Sequence, residues 1–133
     1  MRAFLGRYEL VSNERLAEYA DAVRLGYRSR KVLLAATPVL AFAARGGAYS
    51  MEVRSSIDDE TLHFTLGEAI DETRSDGVSF KTTFEIADDK LVQRQRGHGI
   101  EATVTHALAG DTLTATHACN GVVCVRTYRR ARG

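Results

Sequence analysis

The sequence predicts an all-β protein of antiparallel strands, interrupted once, near its start, by a pair of short helices. Three observations carry that reading. Turn signals recur about every ten residues, at Gly46-Gly47, Asp58-Asp59, Asp76-Gly77, Asp88-Asp89, Gly97 to Gly99, Gly110-Asp111 and Asn120-Gly121, as they do in strands joined by hairpins. The runs between them alternate with period two, the mark of a sheet with one buried face. Only the stretch from Asn13 to Ala36 is spaced as a helix.

The first strand spans about Phe4 to Val11. Leu16, Tyr19, Ala20 and Val23 then fall at i, i+3, i+4 and i+7, with Ser12 or Asn13 able to cap the start. Gly26 interrupts this helix. Ser29 can cap a second one carrying Val32, Leu33 and Ala36, which Pro38 ends. Beyond it, Tyr49, Met51 and Val53 alternate with Ser50, Glu52 and Arg54, and Leu62, Phe64 and Leu66 with Thr61, His63 and Thr65. Phe80, Phe84 and Ile86 share one parity, as do Ile100, Ala102, Val104, His106 and Leu108. About nine strands follow the helices on this reading. So many hairpin-linked strands must stack as a sandwich or close on themselves, because open edges invite aggregation.

Composition narrows the classes. The 133 residues are expected to form a single domain, 1–133, and 44% hydrophobic with 26% charged residues is globular rather than disordered. A net charge of +1 gives no case for nucleic-acid binding. The longest apolar run, Val32 to Ala44, is broken by Thr37 and Pro38 and falls short of the ~20 residues of a membrane span. The N-terminal segment lacks a signal-peptide core, so Cys119 and Cys124 are expected as reduced thiols in the cytoplasm.

The informative anomaly is an inward face that is not dry. If Asn120-Gly121 and Gly110-Asp111 are two-residue hairpin loops, His106, Ala115 and Arg126 form one row across three strands, and Leu108, Leu113 and Tyr128 the next. His117 then lies opposite Cys124, and Gln93 and Gln95 share the parity of Leu91. No Asp or Glu on this parity in the last three strands neutralises Arg126, and a buried unpaired guanidinium costs several kcal/mol. Either this face looks outward or it lines a wet cavity in which Arg126 awaits an anion. The outward choice would leave Val104, Leu108, Leu113, Val122 and Cys124 in water, although Val123 and Val125 make the last strand ambiguous. In a cavity, the Arg126 fork suits a carboxylate and Tyr128 can donate its hydroxyl. Ala115 leaves room for the head group. His106 would stand about 9–10 Å from Arg126, a gap for a carboxylate and one water.

These residues resemble the intracellular lipid-binding protein family, the fatty acid-binding proteins. The ending GVVCVRTY (Gly121 to Tyr128) looks like the family's last strand, and FLGRYELVSNE (Phe4 to Glu14) like its first. YRSRKVLLAATP (Tyr27 to Pro38), HFTLGEAIDET (His63 to Thr73) and the turn Ser75-Asp76-Gly77 also match, so the likeness runs along the whole chain. It implies an up-and-down antiparallel β-barrel of ten strands, of the lipocalin or calycin kind. A two-helix lid, about 13–36, sits between the first and second strands.

By the same resemblance, Arg126 and Tyr128 are the ligand carboxylate anchors, and His106 stands where the family usually has a third Arg or Gln. Leu16, Tyr19, Val23, Leu33 and Ala36 are expected on the lid side of the cavity or portal, with Pro38, Ser55 and Asp76 beside them. Ile57 replaces the portal Phe of many members, and Gln95, Ala115 and His117 line the interior. Val78 stands at the usual Arg after the turn, and Arg15-Leu16-Ala17 replaces Asn-Phe-Asp, so the entrance is altered.

The same residues fit rival chemistries less well. His106, His117, Cys119 and Cys124 share a face, but residues two apart on a strand are ~6.5–7 Å apart, which is awkward for one Zn²⁺. Gly97-His98-Gly99-Ile100-Glu101-Ala102 spells a dinucleotide fingerprint, yet a strand pattern follows it rather than a helix. No nucleophile elbow or paired-His metal motif occurs. The resemblance implies a non-enzymatic carrier of one long-chain fatty acid without cofactor or metal. It is expected to be cytoplasmic and, by family resemblance, also nuclear, and to be a monomer. A retinoid or other hydrophobic carboxylate is the alternative ligand, and an enzyme or zinc-binding protein the alternative from another class. Arg24, Arg28, Arg30 and Lys31 are expected on the lid, either as a solvated face or docking transiently on anionic membranes. His106 has an ordinary pKa near physiological pH: if a bound carboxylate outweighs burial, affinity is expected to fall from about pH 6 to 8, and if burial wins, His106 stays neutral and orders water.

Overall fold

The computed structural model describes residues 1–132. A single 3-10 turn at Arg2–Phe4 precedes strand β1 (Gly6–Glu14), helices α1 (Leu16–Ala22) and α2 (Tyr27–Ala35), and nine further strands. These are β2 (Val39–Arg45), β3 (Ala48–Arg54), β4 (Asp59–Phe64), β5 (Ile70–Thr73), β6 (Ser79–Ala87), β7 (Lys90–Gly97), β8 (Ile100–Ala109), β9 (Thr112–Cys119) and β10 (Val122–Arg130). All pair antiparallel in one ten-stranded sheet ordered β4-β3-β2-β1-β10-β9-β8-β7-β6-β5, so the sheet curls into a barrel. No helix among the described residues is long and apolar enough to cross a membrane.

No backbone ladder joins β4 to β5 among the described residues. The seam is bridged by Phe64 of β4, stacked on Phe84 of β6 with ring centroids 3.9 Å apart. The Gly67 amide also donates to the Phe84 carbonyl at 2.8 Å. The predicted hairpin registers hold. Asn120-Gly121 joins Cys119 to Val122, with φ of 49° and 76°, the left-handed pair that a type I′ turn requires. At Gly97 a side chain would meet the Ser79 carbonyl at 2.5 Å, so only glycine fits that crossing of β7 and β6.

The lid departs from expectation at its edges. Asn13 does not cap α1; it pairs with Arg126 at the end of β1, beyond a bulge between Leu10 and Ser12. Arg15, at φ 60°, starts the helix without a side-chain cap. Ser29 does not cap α2, which begins two residues earlier behind Gly26, and Ala36 lies just past its last turn. The helical spacing itself is right, since Leu16, Tyr19, Ala20 and Val23 are all buried. α2 fully buries no side chain, and Leu33 packs half-buried against the cluster under the lid. Isolated helices of nine residues are marginal in water, so α2 depends on what holds its ends.

Apolar packing forms two clusters. One closes the barrel end opposite the lid through residues such as Phe4, Tyr8, Phe42, Leu91, Leu113 and Tyr128. The other sits beneath α1 around Tyr19, Phe80, Ile100, Ala102 and Cys124. The buried polar side chains Thr82, Gln93, His106 and Arg126 lie on the same inward face.

Candidate functional site

The register builds the site in rows. Leu91, His106, Ala115 and Arg126 stand side by side across β7 to β10, as the sequence placed the last three. Leu108, Leu113 and Tyr128 form the row toward the closed end. Gln93, Val104, His117 and Cys124 form the row toward the lid. The inward reading of this face is the correct one: Val104, Leu113 and Cys124 are buried.

Arg126 is 6% exposed and pairs with no carboxylate among the described residues. Its Nε donates to Asn13 Oδ1 at 2.8 Å, while Nη2 is buried without any partner. The guanidinium lies 5.9 Å from the Tyr128 ring. Burial raises the Tyr128 phenol, with Arg126 pulling the other way, so it stays protonated and able to donate at neutral pH. A bound anion would accept from Nη2 and repay the lost hydration of this charge.

His106 corrects an expectation. Its Nδ1 faces the Leu91 carbonyl at 3.1 Å, a bond only an N–H can make, so Nε2 of the neutral ring is an acceptor. Burial pushes its pKa down to about 4, and Phe42 packs edge-on to the ring at 5.5 Å. His106 is therefore neutral in the empty barrel across the physiological range, not poised within it. His117 is pushed down to about 3, first by burial and then by repulsion from His106 and Arg126, and it packs on Tyr19 at 5.2 Å.

A cavity of about 200 Å³ lies between this polar face and the lid. Of the residues expected to line it, Tyr19, Val23, Leu33, Gln95 and His117 do. Its floor is Gln93, Val104 and His117, one row above Arg126 and Ala115, so the expected carboxylate anchor Arg126 sits beneath it. Leu16, Ala36 and Pro38 do not line it; Leu16 is buried in the packing under α1. Ser55 and Ile57 belong to the β3–β4 turn, where Ser55 Oγ bonds Asp58 and the Ile57 amide. Ile57 is 49% exposed there.

Asp76 does not line the cavity either; it belongs to a latch that the sequence did not announce. Arg74 donates through Nε and Nη2 to the two Asp76 carboxylate oxygens, each at 2.7 Å. The same guanidinium donates to the Val23 and Arg24 carbonyls at 2.7 and 3.1 Å, satisfying the end of α1. The Gly26 amide donates to Asp76 Oδ2 at 2.9 Å, and Ser75 Oγ to Ser29 Oγ at 2.8 Å. Hydrogen bonding from Arg74 holds the Asp76 carboxyl down at about 2. The β5–β6 turn thus clasps the α1–α2 junction. The one available hint was Arg74 standing two residues from Asp76 beside the turn.

Sequence reasoning also missed Asn13 on Arg126, and Glu60 and Glu72 on the cavity wall. Glu72 was detectable as a charge on the parity of Ile70. Of the basic lid residues, Arg30 is tied to Asp21 at 2.8 Å and Arg24 reaches the Gly99 carbonyl at 3.5 Å. Arg28 and Lys31 remain exposed, Lys31 lying 4.8 Å over the Tyr27 ring. Both cysteines are free and buried. Among the described residues no three His, Cys, Asp or Glu side chains gather as a metal site would need.

No protein-family model matches the chain. Individual proteins do. A liver fatty acid-binding protein of Lethenteron camtschaticum is 37% identical over 107 residues, 80% of this chain and 94% of that protein. Fatty acid-binding protein homolog 5 of Caenorhabditis elegans is 34% identical over 130 residues, 96% of each. Among solved structures, a Schistosoma mansoni fatty acid binding protein in complex with arachidonic acid superposes with TM-score 0.93 at 26% identity, covering 99% of this chain and 98% of that one.

Proposed function

The chain belongs to the fatty acid-binding protein family, and from that premise we propose that it carries one long-chain fatty acid inside its barrel, the carboxylate held by Arg126 and Tyr128. The observation that carries this reading is the buried Nη2 of Arg126, a charged donor with no partner among the described residues. The Asn13 amide oxygen holds Nε and so fixes the fork, leaving its other edge for the ligand. Tyr128 donates a second hydrogen bond from the next row. His106, with its proton on Nδ1, offers Nε2 to an ordered water rather than to the carboxylate itself. The alkyl chain runs up past Val104 and Tyr19 toward the lid.

Delivery follows from the lid's outer face. Tyr27 is 74% exposed and Leu34 41%, on the same helix as Arg28 and Lys31, which pair with no carboxylate among the described residues. Apolar tips flanked by cations suit brief docking on anionic membranes, each basic residue contributing about 1 kcal/mol near the surface. The carrier works as a monomer in the cytoplasm on this reading.

The test is a titration with a fluorescent fatty-acid analogue. Arg126→Leu is expected to weaken binding by about 1.5–3 kcal/mol, the range for hydrogen bonds to a charged group. Tyr128→Phe loses less. The stability of Arg126→Leu stays level or rises, because an unpaired buried charge is gone. Unchanged affinity would remove Arg126 as the anchor. Native mass spectrometry before and after delipidation identifies the cargo, and a retained retinoid in place of a C16–C20 acid would replace the ligand assignment.

A further inference from the structure

The wall facing Arg126 carries polar groups that an unmodified fatty acid cannot satisfy. β5 lies five strand positions from β10 in the ten-stranded order, on the far side of the barrel, roughly 15–20 Å away across its width. There Glu72 is half-buried. Its Oε1 accepts from Thr82 Oγ1 at 2.7 Å and from Gln95 Nε2 at 3.0 Å, which fixes the carboxylate in place. Its Oε2 accepts no hydrogen bond and no cation pairs with it among the described residues. Arg74, the cation on the same cavity wall, is committed to Asp76 and the end of α1. Gln93, only 4% exposed, lines the same cavity, and its amide makes no hydrogen bond among the described residues. Glu60 of β4 also lines it, its carboxyl pushed up by lost hydration and by the charges of Asp58 and Glu72.

We propose that the cavity selects a long-chain carboxylate bearing a hydroxyl far along its chain, the hydroxyl donating to Glu72 Oε2 and accepting from the Gln93 amide. The inference rests on the fatty-acid reading above and names the cargo more closely. A bare alkyl chain passing this wall strips water from an anionic oxygen and an amide and returns nothing. A hydroxyl has one donor and lone pairs to accept, matching the free Glu72 Oε2 and the free amide. Sites built around a substrate hydroxyl discriminate strongly against analogues lacking it, because their own polar groups are then unpaired.

The experiment compares the purified protein's affinity for hexadecanoic acid, a series of hydroxyhexadecanoic acids substituted from mid-chain to the terminal carbon, and their methyl ethers. At least one hydroxy acid is expected to bind five- to twenty-fold tighter than the parent acid, with its methyl ether, which cannot donate, losing that gain. Gln93→Leu should reduce the preference to two-fold or less, chiefly by tightening hexadecanoic acid, whose chain then no longer strips water from an unpaired amide. Glu72→Gln keeps the shape but puts an N–H where the free acceptor stood, so the order should invert in favour of the ether. If the parent acid binds and no hydroxy acid binds tighter, the inference fails and the carrier reading stands. A preference untouched by both variants overturns the assignment to this wall. If none of the acids binds, the carrier reading fails and this inference with it.

Discussion

His106 shows how a single contact changes what a residue can do. An imidazole replacing a permanent cation suggests a pH-tuned anchor, yet the Leu91 carbonyl takes the Nδ1 proton and burial holds the pKa at about 4. A bound carboxylate favours imidazolium, so ligand binding raises this pKa, and linkage makes affinity increase as pH falls toward it. From a starting value near 4, that window lies on the acid side of neutrality. Affinity is therefore expected to be flat from pH 7 to 8, with no net proton uptake in calorimetry at pH 7.5. His106→Gln should not change it there. A steady fall in affinity across that range, abolished by His106→Gln in a His117→Ala background, would show that the ligand overcomes burial.

At the scale of elements, the lid is held by its junction rather than by its helices. α1 buries Leu16, Tyr19 and Ala20, whereas α2 fully buries no side chain and packs inward only through half-buried Leu33, and the Arg74–Asp76 clasp ties the residues between them to the β5–β6 turn. Side-chain exposures of 14% and 12% for Arg74 and Asp76 put the pair beyond most solvent screening. Arg74→Met is expected to cost about 1.5–3 kcal/mol, the range for hydrogen bonds to a charged group. The loss should appear first as faster hydrogen exchange in α2, with β7 to β10 unchanged. Uniform acceleration across the barrel would mean the clasp supports the whole fold and not the lid. The outer face makes a separate prediction. Charge reversal at Arg28 and Lys31 should slow ligand transfer to anionic vesicles and leave equilibrium affinity within about two-fold, since exposed charges act chiefly on encounter. Reversal at Arg30 should also loosen α1 from α2 through Asp21. Equal transfer rates to anionic and neutral vesicles in the unmodified protein would exclude electrostatic docking.

The whole molecule stores charge-burial costs that acid and ligand should expose. Folded-state pKa values of about 4 for His106 and about 3 for His117 lie below an unfolded value near 6.5. The unfolded chain therefore binds more protons below pH 6.5. The stability associated with neutral imidazoles is complete above that pH and is lost as pH falls toward 4. At pH 5, His106 alone should cost about 2 kcal/mol, read as a lower urea midpoint than at pH 7.5. Asp76 adds its loss later, as pH falls below its unfolded value near 4 toward about 2. A double His106→Gln, His117→Gln variant should lose most of the change between pH 7.5 and 5. A fatty acid at a hundred times its Kd should stabilise the native protein by about 2.7 kcal/mol at pH 7.5, and Arg126→Leu should erase most of that gain at the same ligand concentration.

Local chemistry wrote much of this into the sequence. Period-two runs and turn pairs such as Asn120-Gly121 determined the strands, their hairpin registers and hence the row of His106, Ala115 and Arg126, because in a hairpin the loop alone fixes which residues face each other. The same parity marked Gln93 and Gln95 as inward. What the sequence left undecided were the contacts made across long loops or around the barrel. Asn13 meets Arg126 only because β1 closes on β10 beyond a bulge, so a residue that reads locally as a helix cap becomes part of the site. Arg74 meets the end of α1 fifty residues away, and Glu72 meets Gln95 across β6. The His106 proton is fixed by a backbone carbonyl on the neighbouring strand, and its charge by how completely the closed barrel excludes water. Spacing along a chain encodes which face a side chain takes; only closure of the sheet decides what stands opposite it and how dry the place is.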